Sequence, residues 1–282
     1  MSQPKPASGQ QRKNRKKKSR TEARGRSQAP SASSIGRKRG LEPHILIHGF
    51  HAVREALGNP ARKHLSLMAT KNSVQRLQAE IRRSGVSLSI VEPASIDHRL
   101  PDGSVHQGLL LETEPIPPLA LEDIPESGPI VLLDQVTDPQ NVGAIMRTAC
   151  AFGASALVMT ERHAPRPSGA LAKAASGTLE HLPYVQVTNL ARAIDTLNGR
   201  GYQTIGLTGD TDRVLDEVVD TGPSRRPTAL ILGAEGKGIR DLTAKTCTDL
   251  AKLRLSGPIT TLNVSAATAV ALQIVATASA TS

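Results

Sequence analysis

Two cysteines are all that the sequence contains. Cys150 and Cys247 stand far apart, which excludes both a disulfide framework and a zinc-ligand spacing. The eight histidines include no HExxH or comparable pairing, so nothing points to metal catalysis. No apolar run is long and uninterrupted enough to span a bilayer. The N-terminal region lacks the apolar core of a signal peptide and any hydrophobic face of a mitochondrial presequence. The expectation is a soluble, cytoplasmic protein with neither a metal nor a membrane partner.

What is present in excess is positive charge, and it is unevenly placed. Lys and Arg number 35 against 25 Asp and Glu, a formal net charge of +10. Residues 1–40 hold thirteen Lys or Arg and the single acid Glu22, a net +12, which leaves the remaining chain near −2. With almost no large apolar side chain before Ile35, this stretch cannot bury enough surface to offset its ordering entropy. A disordered basic arm over 1–43 is therefore expected. It serves either as a solubilising tail or as a polycation attracted to RNA or DNA phosphates through counterion release.

The 282 residues suffice for two modest domains or one domain with a long appendage. From residue 44 to 114, strand-like runs (ILI at 45–47, LSLMA at 65–69, LSIV at 88–91, GLLLE at 108–112) alternate with helical patterns at 51–57 and 73–85, which predicts a small α/β unit. The proline-rich stretch at 115–128 reads as a linker or surface strap. From 129 to 282 near-continuous apolar strands again alternate with helices: IVLLD, ALVM, YVQV, QTIGLT, ALILG and LAKLRL, with helices near 141–152, 168–178, 190–198, 239–247 and 263–279. This pattern predicts a parallel sheet covered on both faces, whose ligands bind at loops beyond the strand C-termini.

Three such loops carry suitable chemistry. In DQVTDPQNVG (134–143), Asp138-Pro139 initiates a turn and Asn141 is placed to cap a helix. That helix bears Arg147, a lone charge among Ile145, Met146, Ala149, Ala151 and Phe152. A guanidinium there offers a rigid fork for phosphate or carboxylate, though a plain surface charge fits as well. GAEGKGIR (233–240) follows a strand and projects Glu235 among glycines. It is neither a P-loop, since Gly238 follows Lys237, nor a dinucleotide fingerprint, and its glycines serve a turn or a close ligand approach. SGPITTLNVSAA (256–267) places Thr260, Thr261, Asn263 and Ser265 at the start of a small, apolar helix, where they act as caps or face a ligand.

The order and spacing of DQVTDPQNVGAIMRTACAFGA (134–154), ALILGAEGKGIRDLT (229–243) and LRLSGPITTLNVSAATAVAL (253–272) resemble the SpoU family of RNA ribose 2′-O-methyltransferases. IHGFHAVREAL (47–57) and VHQGLLLE (105–112) resemble the RNA-binding domain, similar to ribosomal protein L30e, that precedes the catalytic domain in the ribosomal-RNA branch of that family. The resemblance implies an α/β fold with a C-terminal trefoil-knotted, parallel-sheet methyltransferase domain at 129–282, behind an L30e-like RNA-binding domain at 44–114. It implies S-adenosyl-L-methionine as cofactor, a homodimer through the knotted domain, and RNA as substrate. By motif position it assigns Thr208, Gly233, Leu253 and Leu262 to the cofactor, and Asn141, Arg147, Glu235, Asn263 and Thr261 to catalysis. Thr261 stands where serine is usual, and Leu253-Arg254-Leu255 where Ile-Pro-Met is common. The implied reaction is methyl transfer to a ribose 2′-oxygen, with a guanosine of large-subunit (23S) ribosomal RNA as the expected acceptor. A transfer-RNA enzyme and a non-catalytic RNA-binding protein on the same fold are the alternatives.

Overall fold

The computed structural model describes residues 44–117, 119–164, 171, 174–221 and 225–280. The basic arm at 1–43 and residues 168–170, 172 and 173 of the helix expected at 168–178 lie outside the described residues. Every strand-like run named from the sequence carries a strand. β1 (Ile45–His48), β2 (His64–Ala69), β3 (Ser87–Ile90) and β4 (Leu109–Thr113) form a mixed sheet of order β1-β4-β2-β3. β5 (Ile130–Asp134), β6 (Ala156–Thr160), β7 (Tyr184–Val187), β8 (Gln203–Leu207), β9 (Thr228–Gly233) and β10 (Asp249–Ala251) form a wholly parallel sheet of order β10-β8-β9-β5-β6-β7.

Side chains alternate along a strand, so an apolar run must feed two cores at once. Val131, Leu133, Leu157, Met159, Leu230 and Leu232 join one core, with α5 (Pro139–Ala151) and α9 (Val264–Ala280) packed against it. Their neighbours Ile130, Leu132, Ala156, Val158, Ala229 and Ile231 join the other, covered by α6 (Leu190–Gly199) through Leu190, Ala193, Ile194 and Leu197. The first sheet has its own core, where Ile45, Ile47, Leu67, Leu109 and Leu111 meet Ala52, Val53 and Ala56 of α1 (Phe50–Gly58).

Three details depart from the sequence reading. The helix expected at 73–85 divides at the fully buried Leu77 (φ −116, ψ 21) into α2 (Lys71–Arg76) and α3 (Gln78–Ser84). Two short helices, α4 (Pro93–Asp97) and α7 (Leu215–Val218), escaped notice, while the helix expected near 239–247 is α8 (Asp241–Thr246). The strand expected over 250–255 ends at Ala251, and Arg254 beyond it pairs with Asp216 and Glu217 of α7 at 3.0 and 2.8 Å. The 115–128 stretch behaves as a strap: Leu121 and Ile124 are buried in the second sheet's core, and Arg200 donates to both of their carbonyl oxygens at 2.9 and 3.0 Å.

Candidate active site

The three loops singled out by their chemistry follow β5, β9 and β10 at the C-terminal end of the parallel sheet. β9 is inserted between β5 and β8, so loops more than ninety residues apart in sequence become neighbours. Asp134, the last residue of β5, is 1% exposed and ties the first loop to the second. Its carboxylate accepts from the Arg240 backbone N at 3.0 Å and from Arg240 Nε at 2.8 Å, while its carbonyl oxygen accepts from Ala234 N. Nothing local in the sequence announces this bond, which spans 106 positions; a carboxylate ending an apolar strand was the one available signal.

The cap of α5 is Asp138, whose side chain accepts from Gln140 N at 3.0 Å, with Pro139 in the first turn. Asn141 is therefore not the cap that the sequence suggested, and its amide is free for another task. Its Oδ1 accepts from Asn263 Nδ2 at 3.2 Å. The same Asn263 nitrogen lies 3.5 Å from Glu235 Oε2. Asn263 Oδ1 in turn accepts from Ser265 N at 2.9 Å and Ser265 Oγ at 2.6 Å, anchoring the start of α9. One side-chain amide thus joins all three loops.

Arg147 is not part of this hydrogen-bonded group. It is exposed on α5, six residues or about 9 Å of helix rise beyond Asn141, and pairs with no carboxylate among the described residues. Thr261 and Leu262 are also exposed. Thr208, Gly233 and Leu253 lie at or just beyond the ends of the adjacent strands β8, β9 and β10. Thr208 N donates to Ala251 O at 3.0 Å and its hydroxyl accepts from Asp210 N at 3.2 Å. Gly233 admits no side chain, since a Cβ there would overlap the backbone of Gly238, where the loop folds back on itself. Leu253 is half-buried against the core beneath α9.

Residues 253–262 are unusual in another way. Among the described residues no backbone N–H in this stretch donates to a backbone carbonyl, and Leu255, Ile259 and Leu262 are 37%, 73% and 38% exposed. Unpaired backbone donors beside exposed apolar side chains suit a ligand with both apolar and polar edges. Leu255 and Ile259 carried no assignment from the sequence. Among the described residues no group of three or more His, Cys, Asp or Glu side chains could hold a metal ion. Cys247 sits below the second loop with its thiol pushed up to about 12, chiefly by burial and further by Asp134. No described helix is long and apolar enough to cross a membrane.

Known proteins share this fold. Residues 128–273 match the SpoU rRNA methylase family, and residues 46–119 match the family described as RNA 2′-O ribose methyltransferase substrate binding. The chain is 38% identical over 237 residues to the 23S rRNA (guanosine-2′-O-)-methyltransferase RlmB of Pseudomonas syringae pv. tomato, covering 80% of this chain and 92% of the relative. It is 33% identical over 238 residues to RlmB of Yersinia pestis, covering 80% and 94%. Among solved structures, AviRb of Streptomyces viridochromogenes, a SpoU methyltransferase crystallised with AdoMet, superposes with a TM-score of 0.70 at 21% identity, covering 83% and 90% of the two chains. A putative TrmH-family RNA methyltransferase of Porphyromonas gingivalis gives 0.69 at 24%, with the same coverage. These two likenesses establish the fold, and the sequence matches establish the lineage: the chain belongs to the SpoU methylase family.

Proposed function

We propose that this protein is an S-adenosyl-L-methionine-dependent methyltransferase acting on the ribose 2′-hydroxyl of a guanosine in 23S ribosomal RNA, in the cytoplasm. The observation that carries the reading is the junction of Asn141, Glu235 and Asn263 in a SpoU-family chain whose relatives are named for that reaction. The cofactor, when bound, supplies a methyl group on a sulfonium centre that is already a strong leaving group. The residues present fit it. Gly233 lets the backbone approach closely, the N–H groups of 253–262, none of which meets a backbone carbonyl among the described residues, offer donors, and Leu253 and Leu262 offer apolar surface, with Thr208 shaping the adjoining turn.

Arg147, exposed and unpaired among the described residues, clamps an RNA phosphate and stabilises the charge that develops on the ribose oxygen. A guanidinium is protonated throughout the neutral range, so the ribose proton leaves to water rather than to Arg147. Asn141 and Asn263 hold the loops in register, Glu235 orients the polar groups at their junction, and the Thr261 hydroxyl adds a hydrogen bond beside the RNA.

The division of labour follows the two sheets. The unit at 44–114 docks RNA, the strap at 115–128 joins it to the catalytic unit at 129–282, and the arm at 1–43 adds phosphate attraction. The crossover from β9 past β8 to β10, followed by α9 returning against α5, supports a knotted path. Exposed Leu255, Ile259, Leu262 and Val270 support a homodimer built on this end of the chain. The test is a filter assay with methyl-labelled cofactor offered 23S rRNA and transfer RNA separately. Label in 23S rRNA, lost in Arg147→Ala, is the expected result. Label in transfer RNA alone moves the enzyme to the other substrate class, and cofactor binding without labelling of either RNA contradicts the reading.

A further inference from the structure

One buried ion pair joins the first sheet to the second. The side chains of Arg62, from the loop before β2, and Glu180, from the turn Thr178–Glu180, are each 3% exposed. Arg62 Nε donates to Glu180 Oε2 at 2.9 Å and Nη2 to Oε1 at 2.7 Å, a two-pronged contact between planar groups. Arg62 Nη1 also reaches Thr113 Oγ1 and the Glu114 carbonyl oxygen, both at 3.1 Å, and Asn59 Nδ2 donates to Glu180 at 2.8 Å. Both charges are thus paired and further hydrogen-bonded, the condition under which burial is tolerated. Beside them α1 rests directly on Gly177 (φ 90), where a Cβ would come within 2.6 Å of Glu55 Cγ. Leu179 packs against the cores of both sheets, and His181 Nε2 meets Glu55 Oε2 at 2.9 Å.

The same turn leads to the catalytic helix. Ala174 and Ala175, just before it, lie against Gly143 of α5 so closely that a Cβ on Gly143 would overlap Ala174. The turn itself also touches α5. Packed atoms therefore run without a gap from Arg62 to the helix that bears Asn141 and Arg147.

We infer that Arg62 and Glu180 are positioning residues for methyl transfer: the pair fixes the first sheet against α5, so that RNA held by the first sheet presents its ribose at Arg147. This rests on the RNA methyl-transfer reading above. Apolar side chains of similar size would hold the two sheets together as firmly, whereas a planar two-pronged pair also specifies their angle. Because a displacement of about 1 Å at the reacting centre costs on the order of a hundredfold in rate, a loosened angle shows in catalysis before it shows in folding.

The test uses the full chain, its Glu180→Gln variant and the double variant Arg62→Met/Glu180→Leu. Spin labels at Ser87→Cys and Asp195→Cys, both exposed sites, in a background with Cys150 and Cys247 replaced by alanine and mixed with excess unlabelled chain, report the distance between the sheets within one chain. Cofactor affinity, melting temperature, and kcat and KM with 23S rRNA complete the set. The parent chain is expected to give one narrow distance distribution, and both variants a broader one with cofactor affinity unchanged. Their kcat/KM for RNA is expected to fall by roughly tenfold to a hundredfold, and the apolar double variant recovers melting temperature but not rate. A broad distribution in the parent chain overturns the inference without any variant. Full recovery of rate in the apolar double variant, or narrow distributions in both variants, reduces the pair to a structural role. If the parent chain methylates no RNA, the methyl-transfer reading fails, while the distances still decide whether the pair sets the angle.

Discussion

Asn263 uses all of its hydrogen-bonding capacity: two donors toward Asn141 and Glu235, and one oxygen shared by Ser265 N and Oγ. Substitution can separate these tasks. Asn263→Ser keeps an oxygen for the helix start and loses both donors, so stability should stay within about 0.5 kcal/mol while methyl transfer falls at least roughly tenfold. Asn263→Ala should lose about 1 kcal/mol as well, read from urea unfolding. Arg147→Lys keeps the charge and removes the fork, and kcat should drop by roughly a hundredfold with cofactor affinity unchanged, measured by single-turnover transfer and calorimetry. Near-parental turnover in Arg147→Lys would show that a point charge is enough. At this scale the sequence supplied the residue types of the candidate site, but not the partners that the fold gives them. Asp138 and Asn141 are both good caps on paper; Pro139, which suits the first turn of a helix, decides for Asp138 and leaves Asn141 to Asn263.

At the scale of elements, the strands were legible because β5, β6 and β9 must supply apolar side chains to two faces, and no helix periodicity competes with that pattern. The ends of elements were less so. β10 is an edge strand whose apolar continuation, Leu253 and Leu255, leaves the sheet where Arg254 finds its acids on α7. The Asp134–Arg240 link that closes the second loop depends on strand order, which no local pattern encodes. Two predictions belong here. Gly233→Ala forces the Gly238 backbone to move, so cofactor affinity measured by calorimetry should fall by more than tenfold, on the order of 1.4 kcal/mol. The Glu55 carboxyl is held below its usual value first by its hydrogen bond with His181 and then by Arg54. A depressed folded-state pKa contributes stability that is complete above the unfolded value and lost as pH falls through the folded one. The contact of α1 with the Thr178–Glu180 turn should therefore weaken as the solution is acidified through the carboxylate range, and Glu55→Gln should flatten that part of the melting-temperature profile.

For the whole molecule, charge and chemistry are separated along the chain. The candidate site offers the exposed Arg147, while the net positive charge resides in residues 1–40. Removing that arm should lower RNA affinity and flatten its dependence on salt, with cofactor affinity unchanged, because counterion release scales with the phosphates neutralised. An unaltered salt slope would leave the arm as a solubilising tail. The two-sheet organisation was legible because the proline-rich stretch interrupts two separate strand and helix patterns. The buried Arg62–Glu180 pair that joins the sheets was not, since arginines and glutamates on a sequence read first as solvated charge. The most direct measurement maps ribose methylation across ribosomal RNA from cells lacking this protein, complemented with the parent chain or with Arg147→Ala. The account predicts one guanosine of 23S rRNA that is unmethylated without the protein, restored by the parent chain and not by the variant. A 23S rRNA methylation pattern identical in all three strains would contradict it.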